Sequence, residues 1–352
     1  MKPNIKDLSF NEFEAYLFER KQPAYRARQV WQWLYQKRAA SFADMTNLSA
    51  VFREQLAADF SISRLAIERR ADSADGTVKF LFRLADGRNI ESVLIPEAKR
   101  LTLCISTQVG CGFGCAFCAT ALLGLKRNLQ ASEIVDQILE ASRTLTEARR
   151  ITNVVLMGMG EPLANYAQTI KALDVMSNNS WGIGISPRRI TLSTVGLVPQ
   201  IRKLMDETNV SLAISLHAAN DELRSQLMPV NRKYSLQQLM DCCRALPIPR
   251  RKRITFEYVL LRGVNDSAAD AHSLVQLLRG VRCKINLIPF NPHGGSPYRR
   301  PQSEDVEAFQ HILSSDGLQV NVRRPRGDDI AAACGQLQGE TIMERADAAG
   351  HC

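Results

Sequence analysis

Cys111, Cys115 and Cys118 lie in the stretch GCGFGCAFCAT, separated by three and then two residues. Three thiolates this close can bind one metal centre from a single loop. Gly110, Gly112 and Gly114 keep Cβ atoms out of the way of a tight wrap. A structural zinc site usually closes with four ligands, commonly in two pairs, and no second such pair follows in this chain. An iron–sulfur cluster held by three cysteines leaves one iron for an exogenous ligand. Spacing, glycines and position after a strand favour the cluster, with zinc or incidental thiols as the alternatives.

Other groups able to bind or react follow apolar runs further along. They are Gly160 and Glu161 in GMGEP (158–162), Ser193 in LSTVG (192–196), Ser215, Leu216 and His217 in SLHA (215–218), and Asn291 in NLIPFNP (286–292). A lone Ser or Asn after a strand is ordinarily a cap or turn. Cys104, seven residues before Cys111, reads as a small hydrophobe inside a strand. Cys334 lies in the small-residue run AAACG, and Gly335 with the preceding RGDD (326–329) implies a mobile loop. Cys242, Cys243 and Cys283 read as core and Cys352 as part of an exposed tail. Glu91, in NIESVLIP (89–96), reads by itself as an exposed strand carboxylate.

The elements that must position these groups are legible from periodicity. Apolar runs at 101–106, 153–157, 189–193, 210–216, 254–261, 284–289 and 319–322 alternate with helical patterns such as 131–145, 167–176, 235–246, 266–278 and 303–314. Such alternation specifies parallel strands with crossover helices, hence an α/β barrel, complete or partial, or a doubly wound sheet. Polar, chemically able residues follow nearly every strand, which favours the barrel, whose sites gather at the carboxyl ends of its strands. Before it, 77–84 and 89–95 read as strands joined at a turn on Asp86-Gly87. The first sixty residues carry helical stripes, including Val30, Trp31, Leu34 and Tyr35, in which aromatic residues at helical spacing read as core.

The chain has 352 residues, 45 Lys and Arg against 36 Asp and Glu, and a net charge of +9. Its 45% hydrophobic and 23% charged residues exclude wholesale disorder. No apolar run approaches the roughly 20 residues that span a bilayer. The amino terminus lacks the basic head, apolar middle and cleavage site of a secretory signal, so a cytoplasmic location is expected. In that reducing setting nine cysteines are expected to bind metal, react or pack rather than form a disulfide framework. The basic excess, clustered at 149–150, 188–189, 250–253, 299–300 and 323–326, is what a polyanion-binding surface requires.

The CxxxCxxC motif with an aromatic residue before its last cysteine, here Phe117, resembles that of the radical S-adenosylmethionine enzymes. TLCISTQVGC (102–111), GMGEP, LSTVG, SLHA, NLIPFNP and RGDDIAAACGQL (326–337) together resemble the RlmN/Cfr family of RNA adenosine methyltransferases over essentially the whole chain. The resemblance implies a radical-SAM (β/α) partial barrel spanning 98–352 with a C-terminal catalytic loop. A small N-terminal helical RNA-binding-like module (1–62) and a β-hairpin linker (63–97) precede it.

The cofactors implied are one 4Fe-4S cluster on Cys111, Cys115 and Cys118 and two S-adenosylmethionines per turnover. Gly160, Glu161, Ser193, Ser215, Leu216, His217 and Asn291 match the family's cofactor contacts. Cys334 matches its methyl-accepting cysteine, which takes a methyl as a thiolate. A second S-adenosylmethionine then yields a 5′-deoxyadenosyl radical, which activates the methylthio group for addition to the adenine. Cys104 matches the resolving thiol, which releases the product through a transient disulfide with Cys334. Glu91 matches the proton acceptor. The partners implied are 23S ribosomal RNA, where carbon 2 of adenosine 2503 is the target, adenosine 37 of some transfer RNAs, and an electron donor such as flavodoxin or ferredoxin. No membrane is implied. The reacting base must leave its stack to reach a barrel mouth.

Three other readings compete. Methylation at carbon 8, as in the Cfr branch, uses the same two cysteines. A radical enzyme with a protein or small-molecule substrate would not need Cys334. A zinc-stabilised RNA-binding module would be colourless.

Overall fold

The computed structural model describes residues 2–146 and 148–338; Cys352 lies outside them. The chain begins with three helices, α1 (Phe10–Glu19), α2 (Tyr25–Tyr35) and α3 (Ala50–Asp59). Ser9 starts α1 with a capping box: its hydroxyl accepts from the Glu12 amide while the Glu12 carboxylate accepts from the Ser9 amide at 2.6 Å. The aromatic stripe is core. Trp31 is fully buried and stacks on Phe13 with ring centroids 4.6 Å apart.

Four antiparallel-paired strands follow, β1 (Ala66–Asp72), β2 (Val78–Arg83), β3 (Asn89–Glu97) and β4 (Arg100–Cys104). The stretch that reads as a hairpin is thus a three-stranded extension continuous with the main sheet. Strand β1 carries the sequence AIERRAD with almost every residue exposed, so it lacks the apolar alternation by which a strand is recognised.

From β4 the sheet turns parallel. After the short hairpin β5 (Gln108–Val109) and β6 (Arg127–Asn128), which brackets helix α4 (Ala119–Leu122), come α5 (Ala131–Arg143), β7 (Asn153–Leu156), α6 (Tyr166–Ser177), β8 (Ile190–Thr194), α7 (Val198–Glu207) and β9 (Ser211–Ser215). Then follow α8 (Asp221–Leu227), α9 (Leu236–Ala245), β10 (Ile254–Leu260), α10 (Ala268–Leu278), β11 (Cys283–Pro289), α11 (Ser303–Ser315) and β12 (Val320–Val322). The ten-stranded order is β1-β2-β3-β4-β7-β8-β9-β10-β11-β12, parallel from β4 onward. All seven residues of β10 are buried, as expected of a central parallel strand covered on both faces. Residues at the carboxyl ends of β7 and of β12 line one cavity, so the sheet curls into an open, partial barrel.

The helical module is fastened to this barrel through α5 and α6. Lys6 and Asp136, both buried, form an ion pair at 2.6 Å. Arg64 makes a two-pronged bond to Glu140, at 2.9 and 2.7 Å. Phe10 stacks on Trp181, with centroids 4.7 Å apart.

Candidate active site

The mouth cavity is lined by Cys111, Cys115 and Cys118 on one side and by the carboxyl ends of β7 to β12 on the others. The β4–β5 connection is pinned from below: Ser106 donates to the Glu91 carbonyl at 2.6 Å and accepts from the Met159 amide at 2.9 Å. Gly160 is required where the next loop crosses it. Its φ is +98°, and a Cβ there would lie 2.5 Å from the Gln108 Cβ.

The three cysteines follow from this scaffold. Burial pushes the Cys111 thiol up to about 11 and raises the Cys115 thiol well above the usual thiol range, with the neighbouring thiolates adding to the effect. Burial also raises Cys118. Three thiols that line one cavity are a donor set suited to an iron–sulfur cluster. Phe117 lines the same cavity and meets the His217 ring edge-on at 4.6 Å.

The family-matched contacts gather here with one exception. Gly160, Glu161, Ser193, Ser215, His217 and Asn291 line the cavity, whereas Leu216 is buried in the core and absent from the lining. Leu216 takes part through its backbone: its amide donates to the Glu257 carbonyl at 3.0 Å and its carbonyl accepts from Arg224. Glu161 is buried, and burial lifts its carboxyl to about 7 although the Leu163 and Val195 amides donate to it at 3.0 and 2.8 Å. His217 stands in the left-handed region at φ +61°, an uncommon conformation for a non-glycine residue. Its Nδ1 accepts from the Val259 amide at 3.0 Å, and burial pushes the ring down to about 3, so the imidazole is neutral.

Cys334 is exposed at the rim of the cavity and is held by its backbone, its carbonyl accepting from Asn291 Nδ2 at 3.2 Å. The Arg323 guanidinium approaches its Sγ at 3.6 Å. Cys104, on β4, is buried, and burial raises its thiol to about 12, with the nearby Cys334 adding to the shift and Arg323 opposing it. Both cysteines are free thiols in this structure. Glu91 is not the exposed carboxylate its strand context implies. It is buried on β3, flanked by β2 and β4, pairs with Lys79 at 3.2 Å and accepts from the Gln338 amide at 2.7 Å. It stands outside the cavity lining, joined to it by the C-terminal segment that carries Cys334.

That segment is clamped to the antiparallel extension. Asp75 accepts from the Gly327 amide at 3.2 Å and lies 3.6 Å from Arg326, while Asp329 accepts from Ser73 Oγ at 2.6 Å. Gly327 has φ +62°, and a Cβ on it would meet Ala332 Cβ at 2.8 Å and Thr77 Cγ2 at 2.9 Å. The RGDD motif is therefore a docked turn. Gln336 closes it by donating to the Pro292 carbonyl at 2.9 Å.

Three further residues belong to the site, of which only Arg323, in the basic cluster at 323–326, carries a sequence signal, and that signal points to a polyanion surface. Arg224 on α8 is fully buried and donates to the carbonyls of Leu216, Val195 and Ser215 at 3.1, 2.9 and 3.1 Å, tying together the turns after β8 and β9. In DELRSQL it reads as an ordinary surface arginine. Glu257 and Arg323 line the cavity. Glu257 is buried with Oε1 accepting from Asn286 and Oε2 unbonded among the described residues, and burial raises its carboxyl.

A partial parallel barrel with three cysteines at its mouth is the arrangement of a radical S-adenosylmethionine enzyme, and residues 105–275 match the model of the radical SAM superfamily. Residues 3–62 match the N-terminal domain model of the ribosomal RNA large subunit methyltransferases. A protein of Syntrophobacter fumaroxidans named dual-specificity RNA methyltransferase RlmN is 50% identical over 96% of this chain and 98% of its own. One of the same name from Geobacter sulfurreducens is 48% identical over 99% and 95%. The crystal structure of a radical SAM methyltransferase from Sphaerobacter thermophilus superposes with a TM-score of 0.90 at 46% identity, covering 96% of this chain and all of that one. The chain belongs to the RlmN family. Its cofactors are accordingly a 4Fe-4S cluster and S-adenosylmethionine, for which the three thiols and the polar rim of the mouth are a fitting cradle.

Proposed function

We propose that the protein methylates carbon 2 of an adenosine in 23S ribosomal RNA and of an adenosine in transfer RNA. Cys111, Cys115 and Cys118 hold the cluster, which supplies one-electron reductive cleavage of S-adenosylmethionine. Glu161, Ser193, Ser215, His217 and Asn291 orient that cofactor, with Gly160 contributing backbone and Leu216 holding the turn between Ser215 and His217 through its bonds to Glu257 and Arg224. Cys334, as thiolate, would attack the methyl group of S-adenosylmethionine, with S-adenosylhomocysteine leaving, and carry that methyl to the base. The Arg323 guanidinium stands 3.6 Å from the Cys334 sulfur. Cys104 would attack the Cys334 sulfur, forming a transient Cys104–Cys334 disulfide as the bond from that sulfur to the base-linked carbon breaks, and Glu91 would receive the ring proton.

The observation that carries this reading is the placement of Cys334 at the rim of the same cavity that the three cluster cysteines line. The competing carbon 8 reading has less support, because the relatives share the RlmN name. Residues 1–62 serve as an RNA-binding module, 63–97 as the link and 98–352 as the catalytic core. A flavodoxin or ferredoxin supplies electrons in the cytoplasm, and no helix among the described residues is long and apolar enough to cross a membrane.

Anaerobic incubation of reconstituted enzyme with 23S fragments and transfer RNA, followed by mass spectrometry of the digested nucleosides, tests the proposal. 2-Methyladenosine from both RNAs is expected, and none with Cys334→Ala. 8-Methyladenosine as sole product, or full turnover by Cys334→Ala, would overturn it.

A further inference from the structure

A second cavity lies at the other end of the barrel. It is framed by the opening residues of the parallel strands, among them Asn153 of β7, Ser211 of β9, Ile254 of β10 and Lys284 of β11, and encloses ≈ 810 Å³. Its lining contains Arg188, residues 250–253 (RRKR) and Lys284, together with Arg100, and no Asp or Glu. Arg100 is paired with Glu97. The other six cations form no ion pair among the described residues; Arg253 has only the neutral Gln319 at 2.9 Å.

Some cations elsewhere are matched by acids. Lys6, Arg64, Arg127 and Lys171 each face a carboxylate within 3 Å. Here like charges are pressed together instead. Lys252 donates to the Asn209 carbonyl, and burial together with the charge of Arg188 pushes its ammonium pKa below the usual lysine range. Cations gathered in a concavity without acids raise the local positive potential, which attracts a polyanion.

We propose that this basal cavity binds the phosphodiester backbone of the RNA substrate, at a segment separate from the reacting adenosine. The inference rests on RNA being the substrate. Strands of five to seven residues separate the two ends, about 17–23 Å at 3.3 Å per residue, so one nucleotide cannot reach both. The cavity is therefore a distal anchor. It favours RNAs large enough to wrap from mouth to base over short hairpins, and it lies at the wrong end of the strands to pass electrons to the cluster site.

The test uses the full chain carrying Arg188→Gln, Arg250→Gln and Arg251→Gln, three exposed side chains remote from the mouth. Affinities for a long 23S fragment and for a short hairpin bearing the target adenosine are measured by fluorescence anisotropy across a salt series. Each lost phosphate contact shallows the log–log salt slope by about 0.7–0.9, so the slope for the long RNA is expected to shallow by about 2–3 and its affinity to fall at least tenfold at low salt. KM for the long RNA rises while kcat, and turnover of the hairpin, stay at wild-type values. Unchanged affinity and slope for the long RNA would overturn the inference. So would a wild-type cavity that takes inorganic tripolyphosphate while the triple variant keeps full RNA affinity, since that marks a site for free polyphosphate. If the wild-type enzyme neither binds nor methylates the long RNA, the substrate reading itself fails, a separable outcome.

Discussion

Replacing Gly327 by alanine tests whether the docked RGDD turn governs chemistry at Cys334. Two costs follow from the geometry. A left-handed φ of +62° costs a non-glycine residue about 1–2 kcal/mol. The new Cβ would also sit 2.8 Å from Ala332 Cβ and 2.9 Å from Thr77 Cγ2, distances that demand displacement. Overpacking of this kind costs about 1–3 kcal/mol. Together, about 2–5 kcal/mol moves the docked-to-undocked ratio by roughly 30-fold to several thousandfold, at about 1.4 kcal/mol per tenfold. Two assays read this: transfer of labelled methyl from S-adenosylmethionine to Cys334, and methylation of RNA under single-turnover conditions. Both rates are expected to fall at least tenfold. The melting temperature of the barrel should hardly move, since the turn is peripheral to the sheet. Thr77→Ser in the same chain removes one of the two overlaps and should recover part of the loss. Wild-type rates in Gly327→Ala would refute the clamp, as would a loss accompanied by global unfolding.

Lys6→Met strands Asp136 in the interface between the helical module and α5, a loss of about 3–5 kcal/mol. Asp136 is already held up to about 6 by burial, above its unfolded value, so the unfolded chain gives up this proton first as pH rises. Removing the lysine raises it further, and stability therefore falls as pH climbs through and above 6; thermal melts should show a larger deficit at pH 8 than at pH 5.5, and an equal deficit at both would refute this. Alkylation by iodoacetamide at pH 8 should modify exposed Cys334 before Cys104, whose buried thiol lies near 12, and peptide mapping that finds the reverse order would contradict the assigned environments. Arg224→Met leaves the carbonyls of Val195, Ser215 and Leu216 without their donor, so S-adenosylmethionine binding measured by calorimetry should weaken at least tenfold.

Which parts of the site could be read from sequence depended on whether one short segment carries the whole signal. The cluster cysteines and their glycines sit within nine residues, so types and spacing alone narrow the chemistry. The parallel core is legible for a similar reason: a strand buried on both faces reads as a largely apolar run, and β10 lies where such a run falls. Strand β1 escapes because an exposed edge strand has no apolar face to display. Glu91 misleads in the opposite direction. Its neighbours in sequence imply an exposed carboxylate, yet its burial is imposed by Lys79 and by Gln338, the latter 247 residues away.

The residues that sequence could not reveal share a physical character: each acts on partners that are distant in sequence or held by backbone. Arg224 serves carbonyls, which any residue type can present, so no pattern of side chains marks it. Arg323 becomes meaningful only because β12 ends beside the loop that carries Cys334 eleven residues later. Asp75 and Asp329 look like turn residues and are, but the turns they hold belong to each other. The antiparallel extension thus has a role beyond linkage: it is the post against which the Cys334 segment docks, and Lys79 and Glu91 stand on the same strands. A substitution in the 73–77 turn should therefore act on methyl transfer rather than on the sheet, which ties the least conspicuous strands of the fold to its most specific step.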